Sequence, residues 1–547
     1  MVVAALYAPT LDDAWHYDDP GHLAWPGVQD LRPEVRAANY RGIVTLYTWA
    51  LNYRISQDDP GSYHAFNVVV HALNAVLVYV LVGQLAGWFG RTRHRAFVAL
   101  FAAALFAVHP IATQAVAYVT QRSTSLATLA VLGASCAYVR SRRDHGRTNP
   151  WMYAASLVVF ALGLHTKHLA LILPALLVVT ELLRRERLGL GRILLAAAPF
   201  FALAALRALQ FLPRHLPGAP AIDPSAVLVH EAAKLPPWQY AITQVEVVVR
   251  YLGLLVAPVG LSLIHGVEPV TSPWGAGFLA SLVVLIALAA VAWRLRRRDP
   301  LFTWGIAAFF LGLLPTSSIV PSRDLMFEHR VYLPLVGFAT AVAAITTITL
   351  RARWWRFGLA AAVVATLAFV TASRLPVWDT ELALWRDAVR AAPGSARAHV
   401  NVGHALQARG ELVFAQAAYE RALEIDPDHV FALNNLGNVY RGLGRAEDAE
   451  RVLLRVLALE PDYAQGHLNL GNAYFARGDV MAARRHYERA ADADALRAAA
   501  LFNLGLCDEQ EGRVAEAIAH YEAALERDPN LDAARSRLER LREGGSR

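Results

Sequence analysis

Lysine is almost missing from this chain. Two lysines, Lys167 and Lys234, stand against 50 arginines in 547 residues. A lysine inside an apolar segment is therefore a departure from the chain's own habit. Cysteine is equally scarce, with only Cys136 in an apolar run and Cys507 near the C-terminus. Two cysteines exclude a disulfide framework and a cysteine-rich zinc site. A cleavable leader is not visible either. The opening "MVVAALYAP" is apolar, but it lacks a basic start and is too short to span a bilayer.

What is abundant is apolar: hydrophobic residues make up 56% of the chain. The charges divide it in two. Residues 1–379 hold 31 Lys+Arg and 19 Asp+Glu, whereas residues 380–547 hold 21 and 26. The excess of basic charge thus belongs to the apolar part, which removes nucleic acid as its first explanation. Apolar runs near 63–88, 96–120, 122–139, 150–165, 168–183, 193–212, 275–293, 301–315, 331–350 and 357–373 predict ten membrane spans. The stretch 240–263 is apolar but interrupted by Gln244, Glu246 and Arg250, and reads as a helix at the interface or against the bundle.

Five connections are strongly basic: "RTRHR" (91–95), "RSRRDHGR" (140–147), "RRERLGLGR" (184–192), "RLRRR" (294–298) and "RARWWR" (351–356). Together they carry 18 of the 31 basic residues of this half. They share one side if 240–263 does not cross, and that side is expected to be cytoplasmic. Fifteen of the 19 acids then face the other way, as do the loop 9–62 and everything after 373. A loop that starts outside needs a span before it, and eight residues precede this one. A truncated first span is expected, which would raise the total to eleven.

After "RLPVWD" a step of 34 residues takes over. It relates Gly403, Gly437, Gly471 and Gly505, then Gly410, Gly444, Gly478 and Gly512, then Ala415, Ala449, Ala483 and Ala517. Pro427, Pro461 and Pro529 close three of four units. The pattern resembles the tetratricopeptide repeat, a pair of helices that stacks into a solenoid. The units are 396–429, 430–463, 464–497 and 498–531, after a half-repeat at 380–395 and before a capping helix and tail at 532–547. Asn401, Asn435, Asn469 and Asn503 recur at one position, and Asn438 and Asn472 sit three residues further along the same face. Amides there could hold the backbone of an extended acceptor peptide, or serve only to pack the helices.

The remaining polar residues of the membrane half gather in a few motifs on the acid-rich side. "YDDP" carries Asp18 and Asp19, and "YRGIVTLYTWALNYR" carries Arg41 and Arg54. "HPIATQAVAYVTQRS" brings His109, Gln114, Gln121 and Arg122; "HTKHLA" brings Lys167; "FEHRVYLP" brings Glu328, His329, Arg330 and Tyr332. Ionisable groups at membrane depth are costly and point to function. The second "DDPG", at Asp58-Asp59, reads as a turn.

In this order, with the repeats behind them, the motifs resemble bacterial relatives of the transmembrane-and-tetratricopeptide-repeat O-mannosyltransferases, of the GT-C glycosyltransferase superfamily. The resemblance implies an all-α chain: a polytopic GT-C-type bundle over 1–379, then the α-solenoid. It further implies transfer of a sugar, mannose by analogy, from a polyprenyl-phosphate donor to Ser/Thr hydroxyls of extracytoplasmic proteins. Asp18 would be the general base, with Asp19 orienting it or the acceptor. Arg122, Lys167 and Arg330, with Arg41 beside them, would meet the charge of the lipid phosphate. His109, Gln121, Glu328, His329 and Tyr332 would line the pocket. No metal ligand set is implied, and a divalent metal is not required. The partners expected are the lipid-linked sugar, acceptor proteins on the repeats and the bilayer, with no nucleic acid. The chain departs from the family's pattern at Gly42, where relatives often carry Pro, and at His168, where they carry Glu. The alternative is a non-catalytic membrane scaffold whose repeats assemble an envelope or secretion complex.

Overall fold

A computed structural model describes residues 1–13, 42–57, 59–90, 94–142, 148–184, 189–211, 235–317 and 324–544. It divides into two compact units, Met1–Asp387 and Ala388–Arg547. Among the described residues the regular elements are all helical. Asp18, Asp19 and Arg41 lie outside the described residues.

The first unit opens with α1 (Val2–Tyr7), α2 (Ile43–Ser56), α3 (Pro60–Trp88), α4 (Arg95–Val108), α5 (Thr113–Ala117), α6 (Arg122–Ser141) and α7 (Pro150–Leu164). It continues through α8 (Leu173–Leu182), α9 (Leu190–Phe211), α10 (Pro237–Val256), α11 (Ala276–Leu295), α12 (Pro300–Leu313), α13 (Pro334–Thr349) and α14 (Arg353–Arg374). Three of these helices start on the same device. Asp59, Asn149 and Asp299 cap backbone N–H groups of Gly61, of Trp151 and Met152, and of Phe302, each followed by proline. Proline fits the first helical position because its missing N–H would have no partner there, and its φ is already helical.

Each of the ten apolar runs contains a helix, though 96–120 and 168–183 are broken by 3₁₀ turns, and not all the helices are long. Pro60–Trp88, Leu190–Gln210, Ala276–Leu295 and Arg353–Trp378 are long and apolar enough to cross a membrane. The pair Arg95–Val108 and Pro110–Ala117 is long and apolar enough only when taken together, and it is bent by 53°. Others are shorter: Pro150–Leu164, His168–Leu182, Pro300–Leu313 and Pro334–Thr349. At 1.5 Å per residue, a 15-residue helix spans only about 22 Å of a hydrocarbon core near 30 Å thick. For the first two of these shorter helices, the polar sequence "HTKH", where the candidate residue Lys167 lies, separates one helix from the next.

The core runs along α3, which packs on α4 and α6; α6 packs on α7, and α13 on both α12 and α4. The closest approach is between α12 and α13. A Cβ on Gly305 would stand 2.6 Å from the carbonyl oxygen of Gly337, so only glycine lets the backbones meet. The helix α10 buries Tyr240, Thr243, Gln244, Val247, Val248, Tyr251 and Leu255 as one stripe. Its Tyr240 and Tyr251 hydroxyls donate to the carbonyls of Thr316 and Phe327 at 2.7 and 2.8 Å. This is packing against the bundle.

Several basic connections meet at one end of the unit. Arg142 and Arg184 both face Glu181, at 2.6 and 3.9 Å, and the Arg184 guanidinium lies 4.8 Å from the Trp88 ring centroid. Arg356 reaches His94 at 3.0 Å. Contacts at the opposite end join His109 to Leu255, Gln114 to His329, and Lys167 to Thr124.

In the second unit, four helix pairs follow one another: Ala396–Ala408 with Leu412–Ile425, Val430–Gly442 with Ala446–Leu459, Ala464–Ala476 with Val480–Ala491, and Arg497–Gln510 with Val514–Arg527. Asp532–Gly544 closes the row. The turn inside each pair is a glycine with φ between +75° and +85°, at Gly410, Gly444, Gly478 and Gly512, where an L side chain would be strained. The other glycine series is a packing requirement. A Cβ on Gly403, Gly471 or Gly505 would come within 2.7 Å of the ring of Tyr419, Tyr487 or Tyr521.

Candidate functional site

Two breaks in the bundle build the candidate site. The first follows α4, where His109 leaves helical geometry before Pro110. Its Nδ1 accepts from the Ile111 amide at 3.2 Å, and its Nε2 donates to the Leu255 carbonyl at 3.0 Å. His109 is thus fully enclosed and holds the bend against α10. The second break follows α7, where "HTK" leads into the 3₁₀ turn His168–Ile172.

Lys167 sits at this second break, half-buried. Its ammonium donates to Thr124 Oγ1 at 2.6 Å and to Gln121 Oε1 at 3.3 Å, and the Thr124 hydroxyl donates to the same Gln121 oxygen at 3.0 Å. Both acceptors are neutral, so neither compensates the charge. The Arg330 charge acts on Lys167, and both act on the His329 ring. Arg330, in the 3₁₀ turn Glu328–Val331, is held by the carbonyls of Asp324 and Leu325 at 2.7 and 3.2 Å. Lys167 and Arg330 are thus two cations that act on one another beside the His329 ring, with Gln121 as a neutral partner of the lysine.

Arg122 has a different setting. Its Nε donates to Asn67 Oδ1 at 2.9 Å, Nη1 to Asn52 Oδ1 at 2.7 Å, and Nη2 to the Tyr63 carbonyl at 3.0 Å. The guanidinium also lies 4.4 Å from the centroid of the Phe66 ring, with no exposed surface. Here it is a strut joining α2, α3 and α6. Tyr332 is enclosed as well: its hydroxyl donates to His71 Nδ1 at 2.7 Å and accepts from Asn74 Nδ2 at 3.2 Å. His71 Nε2 in turn faces the Ala107 carbonyl at 3.2 Å, which makes that nitrogen the donor. Glu328 is engaged by other groups. One of its carboxylate oxygens accepts from the Ser262 amide and from His265, at 3.1 Å for the latter. The His329 amide donates to Gln114 Oε1 at 2.6 Å, and its ring stacks on Phe327.

Thr124, Asn52 and Asn67 were not singled out from the sequence, although all three lie within a few residues of motifs that were. A hydroxyl or amide in an apolar run becomes informative only once its partner is known. Among the described residues, no group of three or more metal-ligating side chains occurs.

In the repeats, several of the recurring asparagines bond to protein groups. Asn469 Nδ2 donates to Asn434 Oδ1 at 2.8 Å, Asn503 Nδ2 to Asn472 Oδ1 at 3.1 Å, and Asn401 Nδ2 to the Arg397 carbonyl at 2.8 Å. Asn472 also accepts from the Tyr487 hydroxyl at 2.9 Å. Asn469 is buried, whereas Asn435 and Asn438 are half-buried. The amides join neighbouring units as well as lining a face.

These features define an all-helical chain with a multi-pass membrane unit and a tetratricopeptide-repeat unit. Tetratricopeptide-repeat family models match residues 394–460 and 468–532. Among curated proteins, the chain is 26% identical over 403 residues to a protein O-mannosyl-transferase of Caenorhabditis elegans, a match covering 72% of this chain and 54% of that protein. It is 25% identical over 455 residues to protein O-mannosyl-transferase TMTC1 of Homo sapiens, covering 72% and 49%. The chain spans about half the length of the curated relatives it matches. A match over 72% of the chain is far longer than the repeats, so the likeness extends into the membrane unit. It relates the chain to the transmembrane-and-tetratricopeptide-repeat O-mannosyl-transferases. Similar solved structures include MamA, at 28% identity, a TM-score of 0.25 and coverage of 26% of this chain and 85% of that one. Another is YrrB, described as a TPR protein with an unusual peptide-binding site, at 23% identity, a TM-score of 0.26 and coverage of 30% and 84%.

Proposed function

We propose that the chain is a membrane glycosyltransferase that moves mannose from a polyprenyl-phosphate donor to serine or threonine hydroxyls of extracytoplasmic proteins. The observation that carries this reading is Lys167. A half-buried ammonium whose hydrogen-bond acceptors among the described residues are neutral, with the Arg330 charge acting on it, is a setting for an anion. A lipid phosphate leaving group is such an anion. Relationship to the O-mannosyl-transferases supplies the reaction class.

In this reading Asp18 removes the proton of the acceptor hydroxyl as its oxygen attacks the anomeric carbon, with Asp19 beside it. The bond from the anomeric carbon to the phosphate oxygen breaks, and the departing monophosphate is neutralised by Lys167 and Arg330, with Arg41 as a further cation. One displacement inverts the anomeric centre. Arg122 supports the site as a strut. The reaction faces the outside of the cytoplasmic membrane, where the repeats recruit the acceptor. The scaffold alternative finds no comparable support, because it leaves Lys167 without a role.

The test is incubation of the purified chain with radiolabelled polyprenyl-phosphate mannose and periplasmic extract. Label is expected in protein with the wild type and not with Asp18→Asn, at equal expression. Full transfer by Asp18→Asn would end the assignment of the base.

A further inference from the structure

At the basic end of the membrane unit, two surface notches share one chemistry. One, about 450 Å³, is lined by Ala290, Val291, Trp293, Arg294 and Arg296 at the end of α11. The other, about 400 Å³, is lined by Arg353, Trp354 and Phe357 at the start of α14. The Arg296 guanidinium lies 3.7 Å from the Trp293 ring centroid and donates to the Trp293 carbonyl at 2.5 Å. Trp354 and Trp355 stack with centroids 3.9 Å apart. All three indoles are open, with exposures of 67% for Trp293, 65% for Trp354 and 56% for Trp355. Among the described residues, Arg294, Arg296 and Arg353 have no carboxylate partner, unlike Arg142 and Arg184 on Glu181.

We propose that these two arginine–tryptophan notches bind the headgroups of anionic glycerophospholipids. The guanidinium donates to the lipid phosphate, and the indole sits at the level of the glycerol and carbonyls, where amphipathic rings accumulate. What singles out a lipid over a free phosphate is the wall beneath each notch. Only Ser281 and Ala292 of the 20 residues of α11 are buried, and Val283, Val284, Ile286 and Val291 are exposed. Below the second notch, Phe357, Leu359 and Phe369 of α14 are exposed as well. A ligand with a phosphate at one end and two acyl chains below covers both the charge and this apolar face. The inference does not depend on the transfer reaction, because the notches lie at the end opposite Lys167.

Native mass spectrometry of the full chain in micelles containing phosphatidylglycerol and phosphatidylcholine tests it. The wild type is expected to retain phosphatidylglycerol in preference, and each of Arg294→Gln, Arg296→Gln and Arg353→Gln to lower that preference about fivefold. All three positions are at the surface, so the variants should keep the wild-type unfolding temperature in detergent. Equal retention of the two lipids by the wild type would overturn the proposal. So would an undiminished preference in the triple variant, or displacement of phosphatidylglycerol by millimolar inorganic phosphate.

Discussion

Two cations of the membrane unit, Arg122 and Lys167, have different settings, and a pair of substitutions separates them. Arg122 uses the planar fork of its guanidinium to hold two amide oxygens and a carbonyl. An ammonium cannot reproduce that geometry. Arg122→Lys is therefore expected to lower the unfolding free energy by roughly 3 kcal/mol, read as a drop in melting temperature in detergent. Lys167→Met should leave that temperature within a degree or two yet remove at least nine-tenths of transfer, measured as label incorporated into protein. A further effect at this scale concerns acid. His486 faces His467 across 3.0 Å and stacks on Tyr474. Burial holds its titration below the ordinary value of 6.5, and the charges of His467 and Arg485 push the same way. The unfolded ring then takes up its proton first, so stability present above pH 6.5 is lost as pH falls toward the lowered folded value. Amide protection factors in residues 464–497, corrected for the intrinsic slowing of exchange in acid, should fall between pH 7 and pH 5.5, and His486→Gln should flatten that dependence.

Among the helices, the crossing of α12 and α13 is the most demanding contact. Gly337→Val would drive a side chain into the backbone of Gly305 and Phe309. The pair must then separate, and a fall in yield of folded protein by size-exclusion chromatography is expected. In the repeats, Gly505→Ala meets the Tyr521 ring in the same way and should cost about 1–3 kcal/mol, visible as faster proteolysis of the last two units. Elements of this kind were legible in advance. Long apolar runs and a 34-residue glycine step are one-dimensional signals, and the helices they predict are present. The polar constellation was legible only as a set of residues. Tyr332 meets His71 across 261 positions, and Gln114 meets the amide of His329 across 215. Which side of an apolar helix a lone hydroxyl or amide faces is decided by those distant partners. For the same reason, Arg122 and Lys167 look equivalent in sequence and are not. The shortness of four helices was also hidden, since a run of apolar letters does not show where a polar break bends the chain.

For the whole molecule, the proposed orientation rests on the separation of charge along the membrane unit. Arg142, Arg184 and Arg356 meet neighbouring elements at one end, and Lys167 lies at the other. By the positive-inside rule we propose that the arginine-rich connections stay on the cytoplasmic side. An alkaline phosphatase fusion at residue 380 should accordingly be active, and one within 143–147 silent; the reverse pattern would invert the orientation. The near absence of lysine has a practical corollary on this scale. Amine-selective acylation has two side-chain targets in 547 residues, and one is the half-buried ammonium held by Thr124 and Gln121. Binding of an anion at that ammonium can be read as the disappearance of one mass adduct from one arginine-bounded peptide, without a radiolabel and without turnover.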